Sequence, residues 1–222
     1  FDDLLAGDLT GDAHGEFRMR VEARADGRAT QRQLERVGKR RLERALATRP
    51  DLAVSLTWLP FQLSPDMPRE GKDRQAHYAA IFGADRARTI MDGMRQTAAA
   101  EGLRFEAGPG ARSPNTLSAH VLLYWAGERP GVDQNALAEK LFAAHHTDSE
   151  DLGDPAVLAR IAGEVGMDPV EVEAGLRAGK DEDRVQALSS RERRFADDML
   201  GESPAMAKLR EEIAKVAPTA GP

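Results

Sequence analysis

Residues 58–71 read W-L-P-F-Q-L-S-P-D-M-P-R-E-G, from Trp58 to Gly71. The residues leading into this run alternate. From Ala53 to Leu59, Val54, Leu56 and Trp58 fall on one side and Ser55 and Thr57 on the other, as in a half-buried strand. Pro60 has no N–H to donate and stops regular pairing. Pro65 and Pro68 stiffen the path that follows into an extended loop. A strand that runs into a rigid, partly apolar loop is where α/β proteins usually build a site. A plain crossover from sheet to helix is the bland reading of the same residues.

Upstream, Glu16 to Ala23 alternates in the same way, and Asp26-Gly27 signals a turn. Thr30 to Ala47 has helical periodicity, with Leu34, Val37, Leu42, Ala45 and Leu46 on one side. Strand, helix and strand together predict one parallel, right-handed βαβ unit. The helix lies in a basic run: Arg18 to Arg49 holds eleven basic residues against four acidic ones. A solvated helix face with Glu35 and Lys39 as an i,i+4 pair accounts for the run. A nucleic-acid patch is the sharper alternative, weakened by the lack of interleaved aromatics. Phe1 to Gly15 is acidic and Gly-rich. Asp8 and Asp12 do not meet the calcium-loop pattern, so a flexible tail is expected.

Downstream, Asp73 to Glu101 reads as two helices split near Gly83, with Ile81, Phe82, Ile90, Met91 and Met94 inward and Gly102 as the stop. Asn115 is placed to cap a helix over Thr116 to Ala126. Asn135 to His146 is another helix. Its adjacent His145 and His146 diverge by about 100° and are expected to point apart, which argues against a metal pair. Asp154-Pro155 and Asp168-Pro169 are helix starts, the second with Glu171 completing a capping-box-like pattern. Val185 to Arg194 is polar and helical in pattern, and Ser203-Pro204 opens a further helix with Met206, Leu209, Ile213 and Val216 as its stripe.

The chain has 222 residues and a net charge of −6. Its 41% hydrophobic and 31% charged residues fit a soluble protein, and no run of about 18 apolar residues is present to span a membrane. Phe1 to Gly15 does not read as a secretory signal. Cysteine is absent, which excludes disulfides, thiolate metal ligands and a thiol nucleophile.

Four stretches carry a resemblance: Gly38 to Leu46 (G-K-R-R-L-E-R-A-L), the Trp58 to Gly71 run, Ser113 to His120 (S-P-N-T-L-S-A-H) and Leu141 to Ala162. Over about residues 37–185 the chain resembles the DsbA family of thioredoxin-fold proteins, in particular its FrnE-like, cytoplasmic branch. The resemblance implies a thiol–disulfide oxidoreductase or isomerase acting on protein thiols or glutathione conjugates. Its C-P-W-C-type motif would fall on Arg32, Gln33, Leu34 and Glu35, so Arg32 and Glu35 stand where the two sulfurs belong. Neither can form a mixed disulfide. Thr30, the nearest hydroxyl, is out of register to replace the serine of related glutathione transferases. The V-P-x-F-type cis-proline segment expected after Val185 is also missing. Phe195 to Thr219 is similar instead to the opening of the AAA+ domain of sigma-54-dependent activators, without a phosphate-binding loop.

The expected fold is α/β and mostly helical: an incomplete thioredoxin-like βαβ unit with an inserted helical domain. The expected division is 1–15 tail, 16–64 βαβ half, 65–185 helical insertion and 186–222 helical extension. A binding groove is expected near Pro60, Phe61, Asn115 and His120, with no cofactor and no metal. Its partner would be a peptide or a glutathione-like ligand. A homodimer stays open, nucleic acid is disfavoured, no membrane is engaged and the location is cytoplasmic. The alternatives are a regulatory or nucleic-acid-contacting module built on helix 30–47, and a composite chain with no selected function.

Overall fold

A computed structural model gives the structure of residues 17–18, 31–48, 54–105 and 111–200. The acidic tail at 1–15, most of the first expected strand, Thr30 and the helix expected from Ser203 onward lie outside the described residues. Twelve elements follow in order: β1 (Phe17–Arg18), α1 (Gln31–Ala47), β2 (Val54–Ser55), β3 (Lys72–Asp73), α2 (Arg74–Phe82), α3 (Ala84–Ala100), β4 (Arg112–Ser113), α4 (Leu117–Glu128), α5 (Gln134–His146), α6 (Pro155–Gly163), α7 (Pro169–Arg177) and α8 (Glu182–Leu200).

β1 and β2 pair in parallel, Phe17 opposite Val54 and Arg18 opposite Ser55, with α1 between them. This is the expected βαβ unit, in a shorter form. Residues 56–59, read as strand from their alternation, are unpaired with any strand among the described residues. The reason is a contact distant in sequence: the N–H and C=O of Trp58 are both taken by the side chain of Gln134. A second bridge, unseen in the sequence, pairs β3 antiparallel to β4. Gly71 makes it possible. Its φ is +66°, and a Cβ there would stand 2.6 Å from the carbonyl oxygen of Ser113.

The helices form where their caps are. Asp133, Asp154 and Asp168 each accept backbone N–H bonds at the starts of α5, α6 and α7. Asn115 does the same for α4, its Oδ1 accepting from Leu117 N at 2.9 Å. The capping box at Asp168 is incomplete, because the Glu171 carboxylate is bonded to Arg129. Gly102 closes α3 as expected. Leu103 N bonds back to Ala98 O and Gly102 N to Ala99 O, the 6→1 and 5→2 pattern that needs a left-handed residue.

Two apolar clusters result. The larger fills the space between α4, α5, α6, α7 and α8, with Leu122, Leu137, Leu158, Ile161 and Val172 fully buried. The smaller joins α1 to α3 through Val37, Ala98, Leu103 and Phe105. Most of the hydrophobic burial among the described residues is therefore helix on helix. One expectation fails at the edge: Ile81, read as inward, is 50% exposed. Val170 is also exposed, at 78%, at the start of α7. Among the described residues no helix is long and apolar enough to cross a membrane.

α1 is tied to the end of α3 by charge as well. Arg41 Nε donates to Glu101 at 2.7 Å and Arg44 to its other oxygen at 2.8 Å. The Arg41 hydrogen bond, opposed by burial and aided by the charge of Arg44, holds the Glu101 carboxyl below the usual glutamate range. A carboxyl depressed in the folded state stabilises above its ordinary pKa and loses that contribution as pH falls through the depressed value. Glu101→Gln is therefore expected to lower the urea midpoint at pH 7. Its deficit against the unaltered chain should shrink as pH falls below about 4.3. Urea titrations across pH 3 to 7 check this, and a deficit that stays constant would contradict the assignment.

Candidate functional site

Positions 32 and 35 fall in the first turns of α1, at the helix start. A thiol there would be activated by the unpaired N–H groups of the helix end. Just beyond, α1 turns a charged seam toward α5. Arg36 is 8% exposed and Lys39 5%. Arg36 donates twice to Glu139 Oε1, at 3.0 and 3.3 Å, and once to Thr147 Oγ1 at 3.0 Å. Lys39 lies 3.3 Å from Glu139 Oε2 and also pairs with Glu43. The Thr147 hydroxyl donates onward to Arg104 O at 3.0 Å. Arg40 faces Glu43, and Arg41 and Arg44 hold Glu101. The cations of α1 at 36, 39, 40, 41 and 44 are thus each set against a carboxylate of the chain itself. A phosphate would have to displace one of these carboxylates to be bound by any of them.

The loop after β2 is fastened to the helical body at three places. Gln134 brackets Trp58, accepting from its N–H at 2.8 Å and donating to its C=O at 3.0 Å. The Trp58 indole donates to Asn135 Oδ1 at 3.1 Å and meets Phe142 edge-on at 5.6 Å. Gln62 N donates to the buried Ser189 hydroxyl on α8 at 2.8 Å. Asn115 Nδ2 donates to Met67 O at 2.7 Å.

The four residues expected to form the groove differ in their surroundings. Pro60 is buried and Phe61 half-buried beside the Trp58 clamp. Asn115 uses both ends of its amide to start α4 and hold Met67. His120 is half-buried one turn into α4. A cleft of about 210 Å³ lies elsewhere, between α4, α7 and the start of α8, and none of the four lines it.

His145 and His146 do not point apart. Their rings meet at 4.7 Å, and Phe105 stacks on His146 at 4.7 Å. Both histidines are buried, so packing turns the rings together although their Cα–Cβ bonds diverge. The buried Arg74 reaches the same spot, with Nη2 3.1 and 3.2 Å from the two ring nitrogens of His145, which places it over the ring face. The same guanidinium donates to Arg112 O at 3.0 and 3.2 Å. Nothing in the pattern around Arg74 marks it as buried. Among the described residues no group of three or more His, Asp or Glu converges as a metal site would require.

Truncating the carboxylate that serves Arg36 and Lys39 leaves two buried cations short of a partner. Glu139→Ala is expected to cost about 2 kcal/mol of unfolding free energy. Glu173→Ala, which removes an exposed pair with Arg177, should cost under about 1 kcal/mol. Urea unfolding of both variants checks the difference, and equal costs would contradict a buried seam.

Comparison with known proteins bears on the same region. The DSBA-like thioredoxin domain family matches residues 36–195, past Val185 where the sequence motifs stop. Among solved structures, the chain is similar to a "probable DsbA oxidoreductase" from Streptomyces coelicolor. The two are 27% identical with a TM-score of 0.60, over 72% of this chain and 69% of that one. No curated protein matches. With its parallel βαβ remnant, its helical body and a family match over most of its length, the chain belongs to the DsbA-like thioredoxin-domain family, as a member without a cysteine.

Proposed function

We propose that this chain is a FrnE-like, cytoplasmic member of its family that does not perform thiol–disulfide exchange and acts by binding a peptide or a glutathione-like ligand. The observation that carries the reading is the absence of cysteine from all 222 residues. Exchange requires a thiolate to attack a disulfide sulfur and form a mixed disulfide. Arg32 and Glu35, at the positions of the resemblance's two sulfurs, offer a guanidinium and a carboxylate, and neither can take that step. Support for a retained binding role comes from what is kept: the family domain over 36–195, and the Trp58 to Met67 loop fastened to α5, α8 and Asn115. In this reading Pro60, Phe61, Asn115 and His120 shape the surface that a ligand meets.

The insulin-reduction assay tests the redox half of the proposal. With dithiothreitol as reductant, the chain is expected to give the same rate of insulin precipitation as buffer. A rate above buffer that scales with the amount of chain would overturn it.

A further inference from the structure

The cleft between α4, α7 and the start of α8 is independent of the redox reading. Its floor is aromatic. Trp125 lies against α7 where Gly175 leaves room; a Cβ there would come within 2.7 Å of the indole Cη2. The indole N–H donates to Asp181 Oδ2 at 2.8 Å. Asp181 holds a left-handed backbone, φ +63°, a conformation that costs a non-glycine residue energy. Its place is fixed by the Trp125 bond and by Val185 N, which donates to its carbonyl at 3.0 Å.

Two cations stand over this floor. Lys180 Nζ is 5.7 Å from the centre of the Trp125 ring, and the Arg184 guanidinium is 5.0 Å from that of Tyr124. They differ from the other cations nearby. Lys140, Arg160 and Arg177, on α5, α6 and α7, each hold a carboxylate. Among the described residues Lys180 and Arg184 face rings and form no ion pair, so each cation is held in place over an aromatic face. Of the lining acids, Glu171 is paired with Arg129 at 2.7 Å, whereas Asp181 accepts only the neutral indole N–H and keeps its charge. Glu128 stands in the lining as well, and it disfavours a ligand carrying a second negative charge near it.

We infer that this cleft binds a carboxylate carried on a short apolar stem, with the stem on Trp125 and Tyr124 and the carboxylate between Lys180 and Arg184. At about 210 Å³ it is smaller than the pockets of about 300–1,000 Å³ that enclose drug-sized ligands. It therefore takes one end of a ligand. That end is either the C-terminus of a peptide or a free small acid.

Tryptophan fluorescence of the full chain, titrated with N-acetyl-leucyl-leucine, tests this. Saturation is expected with a half-point of about 0.1–1 mM. The C-terminal amide of the same dipeptide should bind at least about fivefold more weakly, as should the acid against Arg184→Gln or Lys180→Gln. Arg177→Gln, whose side chain is outside the cleft, should bind like the unaltered chain. Comparison with 4-methylpentanoate separates the two sources. Tighter binding of the dipeptide assigns the site to peptide C-termini, and equal binding assigns it to small acids. No saturation by about 10 mM, equal binding of acid and amide, or full affinity in both cation variants would each overturn the inference.

Discussion

The amide of one side chain, Gln134, holds three backbone groups: the N–H and C=O of Trp58 and the C=O of Leu123. A strand normally satisfies such groups with its neighbours. Here a glutamine at the start of α5 does so, and this joins the βαβ remnant to the helical body. The clamp needs space as well as donors. A Cβ on Gly127 would come within 2.8 Å of Gln134 Nε2, so the bare backbone at 127 is what leaves the amide its place. Two-residue strands cannot stabilise a parallel sheet alone. The described β1–β2 pair therefore depends on Trp58 and Gln62 being held by α5 and α8, and on Val37 being packed against α3.

The charge distribution along α1 has the same logic. A helix read as a basic surface instead directs Arg36 and Lys39 into the seam with α5, and Arg41 and Arg44 onto Glu101. Taking such charges from water is costly unless partners are in place. Glu139, Thr147 and Glu101 are those partners. A thioredoxin-type site would use this helix start to lower the pKa of a thiol. In this chain the same helix start leads into fixed ion pairs that hold α1 against α5 and the end of α3.

What was legible in the sequence is what depends on near neighbours. The Asp-Pro starts of α6 and α7, the break at Gly83 and the stop at Gly102 are set by residues within one turn, and they stand where they were expected. The parallel βαβ unit was legible as a pattern, but its extent was not, because the clamp that ends β2 is 76 positions away in the chain. The β3–β4 bridge, the burial of Arg74 and the meeting of His145 with His146 depend on contacts of that kind. Alternation and periodicity do not record them. Ile81 shows the complementary limit: periodicity gives a helix its apolar side, but not whether anything packs on it. The cleft at Trp125 was hidden for both reasons, since it needs Gly175 beneath the ring and Asp181 in a left-handed turn.

If helices have taken over the stabilising role of the sheet, the remnant and the helical body form one cooperative unit. The most direct test is a urea titration of the intact chain, followed in parallel by tryptophan fluorescence and far-UV circular dichroism. Fluorescence reports Trp58 at the clamp and Trp125 in the helical core, while dichroism reports the helices as a whole. A single transition with coincident curves is expected. Loss of part of the fluorescence at lower urea, with the helical signal intact, would mean that the Trp58 segment detaches on its own and that the clamp does not unite the two parts.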